Sequence, residues 1–195
     1  MTKIHIQNIN LNLGSNAMSV ALMAALSASM AAPKPEAPTS SRPAIGEYWD
    51  GQGGIYVGMG RGRDGGRDYS LILPTDKSAI FEKRSIGTYG ADVTGATSDH
   101  DGLANTIALA TAGSDLCKEA LSVEIDGHKD FHVPSRMDLR LMWANVPELF
   151  EKEWYLSSTQ YSSRYAWLQH FDGGNSSGSN KEVEARVVLC RRSFL

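Results

Sequence analysis

The chain has 195 residues, 42% of them hydrophobic and 21% charged, which fits one ordinary soluble domain plus an appendage. Its formal charge is −3; residues 1–45 carry +2 (Lys3, Lys34 and Arg42 against Glu36), leaving −5 for the remainder. A nucleic-acid binder would show a basic excess, so that class is excluded.

The elements follow in chain order. KIHIQNINLNLG (residues 3–14) alternates apolar and polar positions with a one-residue slip after Ile6, the pattern of a strand with a bulge. NAMSVALMAALSASMAA (16–32) has no charge and many good helix formers. It is shorter than the ~20 strongly apolar residues a bilayer needs, so no membrane span is expected. PKPEAPTSSRP (33–43) holds four prolines and reads as a stiff linker. Residues 1–32 thus form an N-terminal attachment arm, a strand plus a short helix that docks on a partner, with a Pro-rich linker over 33–45. The alternative is a cleaved secretory signal ending near Ala32.

Residues 46–73 predict a hairpin in which GIYVGM and DYSLIL are strands joined by GRGRDGGR. This loop lacks the Lys-Ser/Thr and the following helix of a phosphate cradle, so it reads as a solvated turn. Arg61, Arg63 and Arg67 remain in it as an anion-contact cluster. Helical material spans 101–122 with a break near Gly113, and Ser114 caps a second short helix that carries Cys117. SRMDLRLMWAN (135–145) is a clearer helix: Ser135 is the N-cap, Asp138 stands three residues on, and Leu139, Met142 and Trp143 face inward.

Between them, IDGHKDFHVP spaces Asp126, His128, Asp130 and His132 two apart, as metal ligands on one strand would be. DG and KD are turn chemistry, so a turn leading into a short FHV strand is the better reading, and no metal site is expected there or at His100. No serine sits in GxSxG, so no catalytic set and no cofactor are expected. Cys117 and Cys190 have no CxxC spacing, which argues against zinc; they are either two free buried thiols or one long-range disulfide. Finally, WYLSSTQYSS, RYAWLQHF and EARVVLCRRSFL are dense in aromatic and apolar residues, and they enclose a tract of Gly, Ser, Asn and Asp.

The stretch DGHKDFHVPSRMDLRLMWANVPELFEKEWYLSSTQYSSRYAWLQHFDGG, closing on EARVVLCRR, resembles the Lcl C-terminal domain family, a branch of the C-type-lectin-like and formylglycine-generating-enzyme-like folds. The family's DWRLPS, YWSST…Y…AW…F and VRCVRR motifs stand here over residues 130–136, 155–171 and 186–192. Phe131 and His132 replace the usual Trp and Arg, and Leu156 replaces a Trp. The IGEYWDGQGGIYVGM and ATSDHDGLANT segments look like a version common in phage and prophage genes.

The resemblance implies an α+β, C-type-lectin-like domain over residues 46–195, with small antiparallel sheets and two or three helices. It implies a bridge between Cys117 and Cys190, a closure that would contribute about 4 kcal/mol. It also implies that Trp154, Tyr155, Tyr161, Trp167 and Phe171 pack the frame, and that the soft tract lies in or beside an exposed loop surface used for binding. The candidate ligand contacts are Arg164, Gln169, His170, Asp172, Asn175, Ser176, Ser177, Asn180 and Lys181. The calcium-site motifs of true C-type lectins and the paired cysteines of the formylglycine-generating enzymes are missing.

The function so implied is a non-enzymatic phage virion protein, a capsid decoration or tail component. Its arm would join other virion proteins through residues 1–32, and its head, as part of a homotrimer, would bind a host-surface glycan or protein. The alternatives are a secreted, cell-surface bacterial adhesin and, more remotely, an enzyme of the formylglycine-generating type.

Overall fold

The computed structural model describes residues 42–63 and 65–195, so the strand, helix and most of the linker expected over residues 1–45 lie outside it. The described chain is α+β, with two curled sheets and three helices. The first sheet has the order β1-β2-β3-β9, with β1 Tyr48–Trp49, β2 Gly54–Gly60, β3 Tyr69–Leu73 and β9 Arg191–Phe194. The second has the order β4-β8-β5-β6-β7, with β4 Ile80–Arg84, β5 Trp154–Gln160, β6 Tyr165–His170, β7 Ser176–Asn180 and β8 Ala185–Val188. Every pairing is antiparallel except β5 with β8.

The expected hairpin is β2–β3, and its sheet is covered on both faces. Leu71 and Leu73 enter one apolar cluster, while Ile72 packs with Trp49 and Tyr56 on the other side. The register shifts between Tyr56 and Gly58, where φ is +145° and a Cβ would lie 2.5 Å from the Asn145 amide nitrogen. That close approach lets Asn145 Nδ2 donate to the Val57 carbonyl at 2.9 Å, which fixes a helix end to the strand.

The helices are α1 Gly102–Thr111, α2 Asp115–Ala120 and α3 Arg136–Asn145, with the break near Gly113 and the caps at Ser114 and Ser135 that the sequence predicts. Asp101 accepts from Ala104 N, Ser114 from Cys117 N, and Ser135 with Asp138 forms a reciprocal capping box. Leu109, Leu116 and Cys117 of α1 and α2 join Phe131, Leu156, Leu168 and Val187 in one core over the second sheet. Leu139 and Met142 of α3 join Val57, Leu71, Tyr155, Phe171 and Cys190 in another.

The middle of β5 is polar yet buried. Ser157 Oγ donates to Trp167 O (2.7 Å), Ser158 Oγ to Pro134 O (3.1 Å), and Thr159 Oγ1 to Ser98 O (2.9 Å). These bonds coincide with the register shift between Leu156 and Gln160, so the strand trades ladder regularity for side-chain cross-links to three neighbouring segments.

Four expectations are corrected. Trp143 is exposed, because the inward stripe of α3 is filled by Leu139 and Met142. Of the five frame aromatics, only Tyr155 and Phe171 are buried; Trp154 and Tyr161 are exposed and Trp167 is half-buried. The soft tract is loop only over residues 172–175; residues 176–180 are β7, an edge strand paired with β6 from Gln169↔Ser176 to Tyr165↔Asn180. Cys117 and Cys190 are both free, and they lie in the two different cores, so the bridge is not formed.

Lys181, expected as a surface contact, is 1% exposed. Its ammonium donates to Ala91 O and to Gln160 Oε1, while Gln160 Nε2 donates to Asp92 Oδ1 at 2.6 Å. Val93 N shares the Gln160 oxygen at 3.0 Å, so one lysine pins the 87–93 segment to the end of β5. Burial pulls the Lys181 pKa down, and the Asp92 charge opposes that pull. Lys181→Met keeps the stem but strands both acceptors, and should lower unfolding free energy by about 2–3 kcal/mol in urea titrations. An unchanged midpoint would show that the segment does not depend on this amine.

Candidate functional site

Two places concentrate functional chemistry: the outward side of β6–β7, and a buried polar cluster beneath a cavity beside β3 and β9. Along β6, Ala166 and Leu168 enter the core and pair with Ser179 and Ser177. The alternate positions, Tyr165, Trp167 and Gln169, share the opposite side with Asn180, Gly178 and Ser176. Tyr161 meets the Trp167 ring edge-on at 4.9 Å, and a Cβ on Gly178 would lie 3.4 Å from Tyr161. The Arg136 guanidinium sits 3.6 Å from the centre of the Trp167 ring. Tyr161 is 60% exposed and Tyr165 40%, so this is a firm aromatic surface presented to solvent.

The sequence-predicted contacts scatter around that surface. Ser176 Oγ donates to Gln169 Oε1 at 2.7 Å, and His170 lies against Trp154 at 4.9 Å, at the β6–β7 turn. Asn175 and Ser177 are exposed beside them, and Asp172 is paired with Lys152 at 3.2 Å. Arg164 lies at the opposite end, 5.7 Å from the Tyr89 ring, near Asn180, whose Oδ1 accepts from Glu182 N. Gln169 and Lys181 are buried and serve the frame. Sequence reasoning missed Tyr161, Tyr165, Trp167 and Arg136 as surface groups; the period-two alternation of YAWLQH was the signal that could have separated Tyr165 and Trp167 from the core.

The residues of the metal-like spacing are dispersed. Asp126 accepts from the Tyr48 hydroxyl (3.0 Å), His128 Nε2 contacts Gly51 O (3.0 Å), and Asp130 pairs with Arg191 (2.9 Å). Asp126 has φ +52° and Ile125 bridges to His128, the turn that the sequence predicts. His132 bridges to Cys190, and its Nδ1 lies 3.0 Å from the Asp130 carbonyl. Because that carbonyl only accepts, Nδ1 carries the proton and Nε2 faces the Cys190 thiol at 3.5 Å as acceptor.

Close by, Asp138 is fully buried and accepts from four donors: Ser135 N (2.9 Å), Ser135 Oγ (2.7 Å), the Tyr69 hydroxyl (3.2 Å) and Arg192 Nη2 (2.8 Å). Ligand atoms of His132, Asp138 and Cys190 lie within 4.8 Å of one another, the convergence a metal ion would want. The cation already there is the Arg192 guanidinium, which also donates to His100 O and lies 4.0 Å from the Tyr69 ring centre. Burial works against the Arg192 charge, but Asp138 and Tyr69 more than offset it and its pKa is raised. Burial likewise pushes the Cys190 thiol well up, with Asp138 adding to it, and takes Cys117 to about 11 against a hydrogen bond from Ser114. Both sulfurs are therefore protonated at neutral pH and poor nucleophiles.

The chain matches no model of a known protein family, and no curated protein is similar to it. No helix among the described residues is long and apolar enough to cross a membrane.

Two outcomes are expected from the buried cluster. Arg192→Met leaves the Asp138 carboxylate buried without its cation and should cost about 3–5 kcal/mol of stability by thermal or urea unfolding; a loss within error would show that water reaches Asp138. Burial holds the His132 pKa below its ordinary 6.5, against the pull of Asp138. The unfolded chain therefore takes the proton first, so the stability from a neutral His132 is complete above about pH 6.5 and is lost as pH falls toward the folded value. Wild type should lose up to ~1.4 kcal/mol per pH unit more than His132→Gln over that window; parallel curves would show that His132 protonates freely in the fold.

Proposed function

We propose that this chain is a non-enzymatic binding protein of a phage virion, a capsid decoration or tail component with a C-type-lectin-like head. The observation that carries the reading is the outward aromatic surface of Tyr161, Tyr165 and Trp167 beside the small side chains of β7, mounted on strands whose own polar groups are bonded inward. Rigid aromatics next to Ser, Gly and Asn are the composition of an adaptable paratope, because they offer contact area at little entropy cost. The protonated, sealed thiols and the four-fold engaged Asp138 favour binding over catalysis. Two small sheets with three helices, and a last strand that pairs back onto the first hairpin through β3–β9, support the lectin-like head.

A head of this kind binds weakly one copy at a time and gains strength from multiplicity, so a homotrimer joined to other virion proteins through residues 1–32 completes the reading. The ligand class is a host-surface glycan or protein. The test uses full-length protein and particles purified from lysates of cells expressing the gene. Antibody to the head should label intact particles, and beads carrying many copies should be retained by host cells. Tyr161→Ser/Tyr165→Ser should abolish retention with an unchanged melting temperature. Protein found only in the medium, cleaved near residue 33, would overturn the virion assignment in favour of a secreted adhesin. Retention that survives the double substitution would overturn the aromatic surface.

A further inference from the structure

The loop between β2 and β3 faces the segment that leads into α1 across a cavity of about 410 Å³, whose lining includes no residue of β6 or β7. Arg61, Arg63 and Arg67 line it from the loop, and Arg192, Phe194 and His100 line it from β9 and the facing segment. Two carboxylates, Asp101 and Asp130, also line it against the four arginines. Both are committed elsewhere: Asp101 caps α1 by accepting from Ala104 N at 3.0 Å, and Asp130 accepts from Arg191 Nε at 2.9 Å. Arg192 is likewise committed to Asp138, so Arg61, Arg63 and Arg67 stand against the remaining charge of Asp101 and the described lining is net positive.

Two observations point to an occupant. The Arg61 and Arg63 side chains make no hydrogen bond or ion pair among the described residues, although the loop around them is tied by Gly62 N to Asp68 Oδ1 and Gly66 N to Arg63 O, both at 2.8 Å. Unpaired guanidinium groups lining one cavity present forked donors, for which an oxyanion is the matching acceptor. Beside the arginines, Phe194 is half exposed with Arg67 stacked 5.2 Å from its ring, and Leu103 completes an apolar wall.

We propose that this cavity binds a small organic oxyanion, a carboxylate or phosphate group held by Arg61 and Arg63, with an apolar body resting on Phe194 and Leu103. The volume fits a single small molecule rather than a polymer.

Isothermal titration of the full-length protein with phenyl phosphate, benzoate and inorganic phosphate, and with benzyl alcohol as the uncharged control, tests it. Phenyl phosphate or benzoate should bind saturably and weaken with added salt, inorganic phosphate should bind less well for want of the apolar contact, and benzyl alcohol should not bind. The better of the two organic anions identifies the head group. Arg192 also supports the fold, so the variant used is Arg61→Gln/Arg63→Gln, which should retain the wild-type melting temperature and lose about tenfold or more in affinity. No saturable binding by any of the three anions, equal binding of benzyl alcohol, or unchanged affinity in the double variant would each overturn the site. None of these outcomes depends on whether the β6–β7 surface binds cells.

Discussion

Most of this structure answers to one buried ion pair, Arg192 with Asp138. Asp138 has no solvent to hydrate its charge, and an isolated carboxylate there would cost several kcal/mol. The fold compensates by gathering donors from separate parts of the chain: the cap of α3, the Tyr69 hydroxyl of β3 and the guanidinium of β9. Arg192 then spends its remaining reach on the His100 carbonyl and the Tyr69 ring. A strand near the end of the chain is thus required before the charge on the third helix is tolerable. Such long-range closure makes assembly slow but leaves few alternative registers that satisfy the carboxylate.

The same logic explains how the second sheet ends in so poor a strand. SSGSN has little intrinsic preference for extended structure, and nothing pairs with its outer edge among the described residues. It is held because β6 is already fixed by β5, whose Ser157 is bonded to the Trp167 carbonyl. Small polar side chains on that edge also discourage a foreign strand from adding to it. Sequence freedom in β7 is a consequence of stringency in β5.

Local physics made much of this legible from the sequence. Caps at Ser114 and Ser135, the break at Gly113 and the turn at Asp126 are written in residues whose side chains or φ preferences act within a few positions. What failed depended on distant partners. Nothing in Trp143, Trp154 or Tyr161 states which apolar side chain wins a place in the core when more are present than the core can hold. Lys181 reads as a surface residue until Ala91 O and Gln160 Oε1 are known to converge on its amine. Ser and Gly in residues 176–180 read as a loop because strand identity there comes from β6 alone. The aromatic surface was half visible, since Tyr161 and Trp167 were singled out but assigned to the packed frame, while Tyr165 was passed over.

The two candidate sites are separate surfaces with a common mount, the first turn of α3. Arg136 lies on the Trp167 ring and its backbone N–H donates to Thr159 Oγ1 at 3.0 Å, which steadies the aromatic side. One residue on, Met137 N donates to Asp99 O at 3.0 Å, tying the same turn to the segment that faces the arginine loop. Asp138 then grips Arg192, which lines the cavity. Three successive residues therefore hold three different elements, and none of them is free to move alone. Such a mount keeps both surfaces preformed, so binding at either spends little on reorganisation. It also argues against strong coupling between them, because coupling needs an element with two alternative arrangements and this turn is bonded into one.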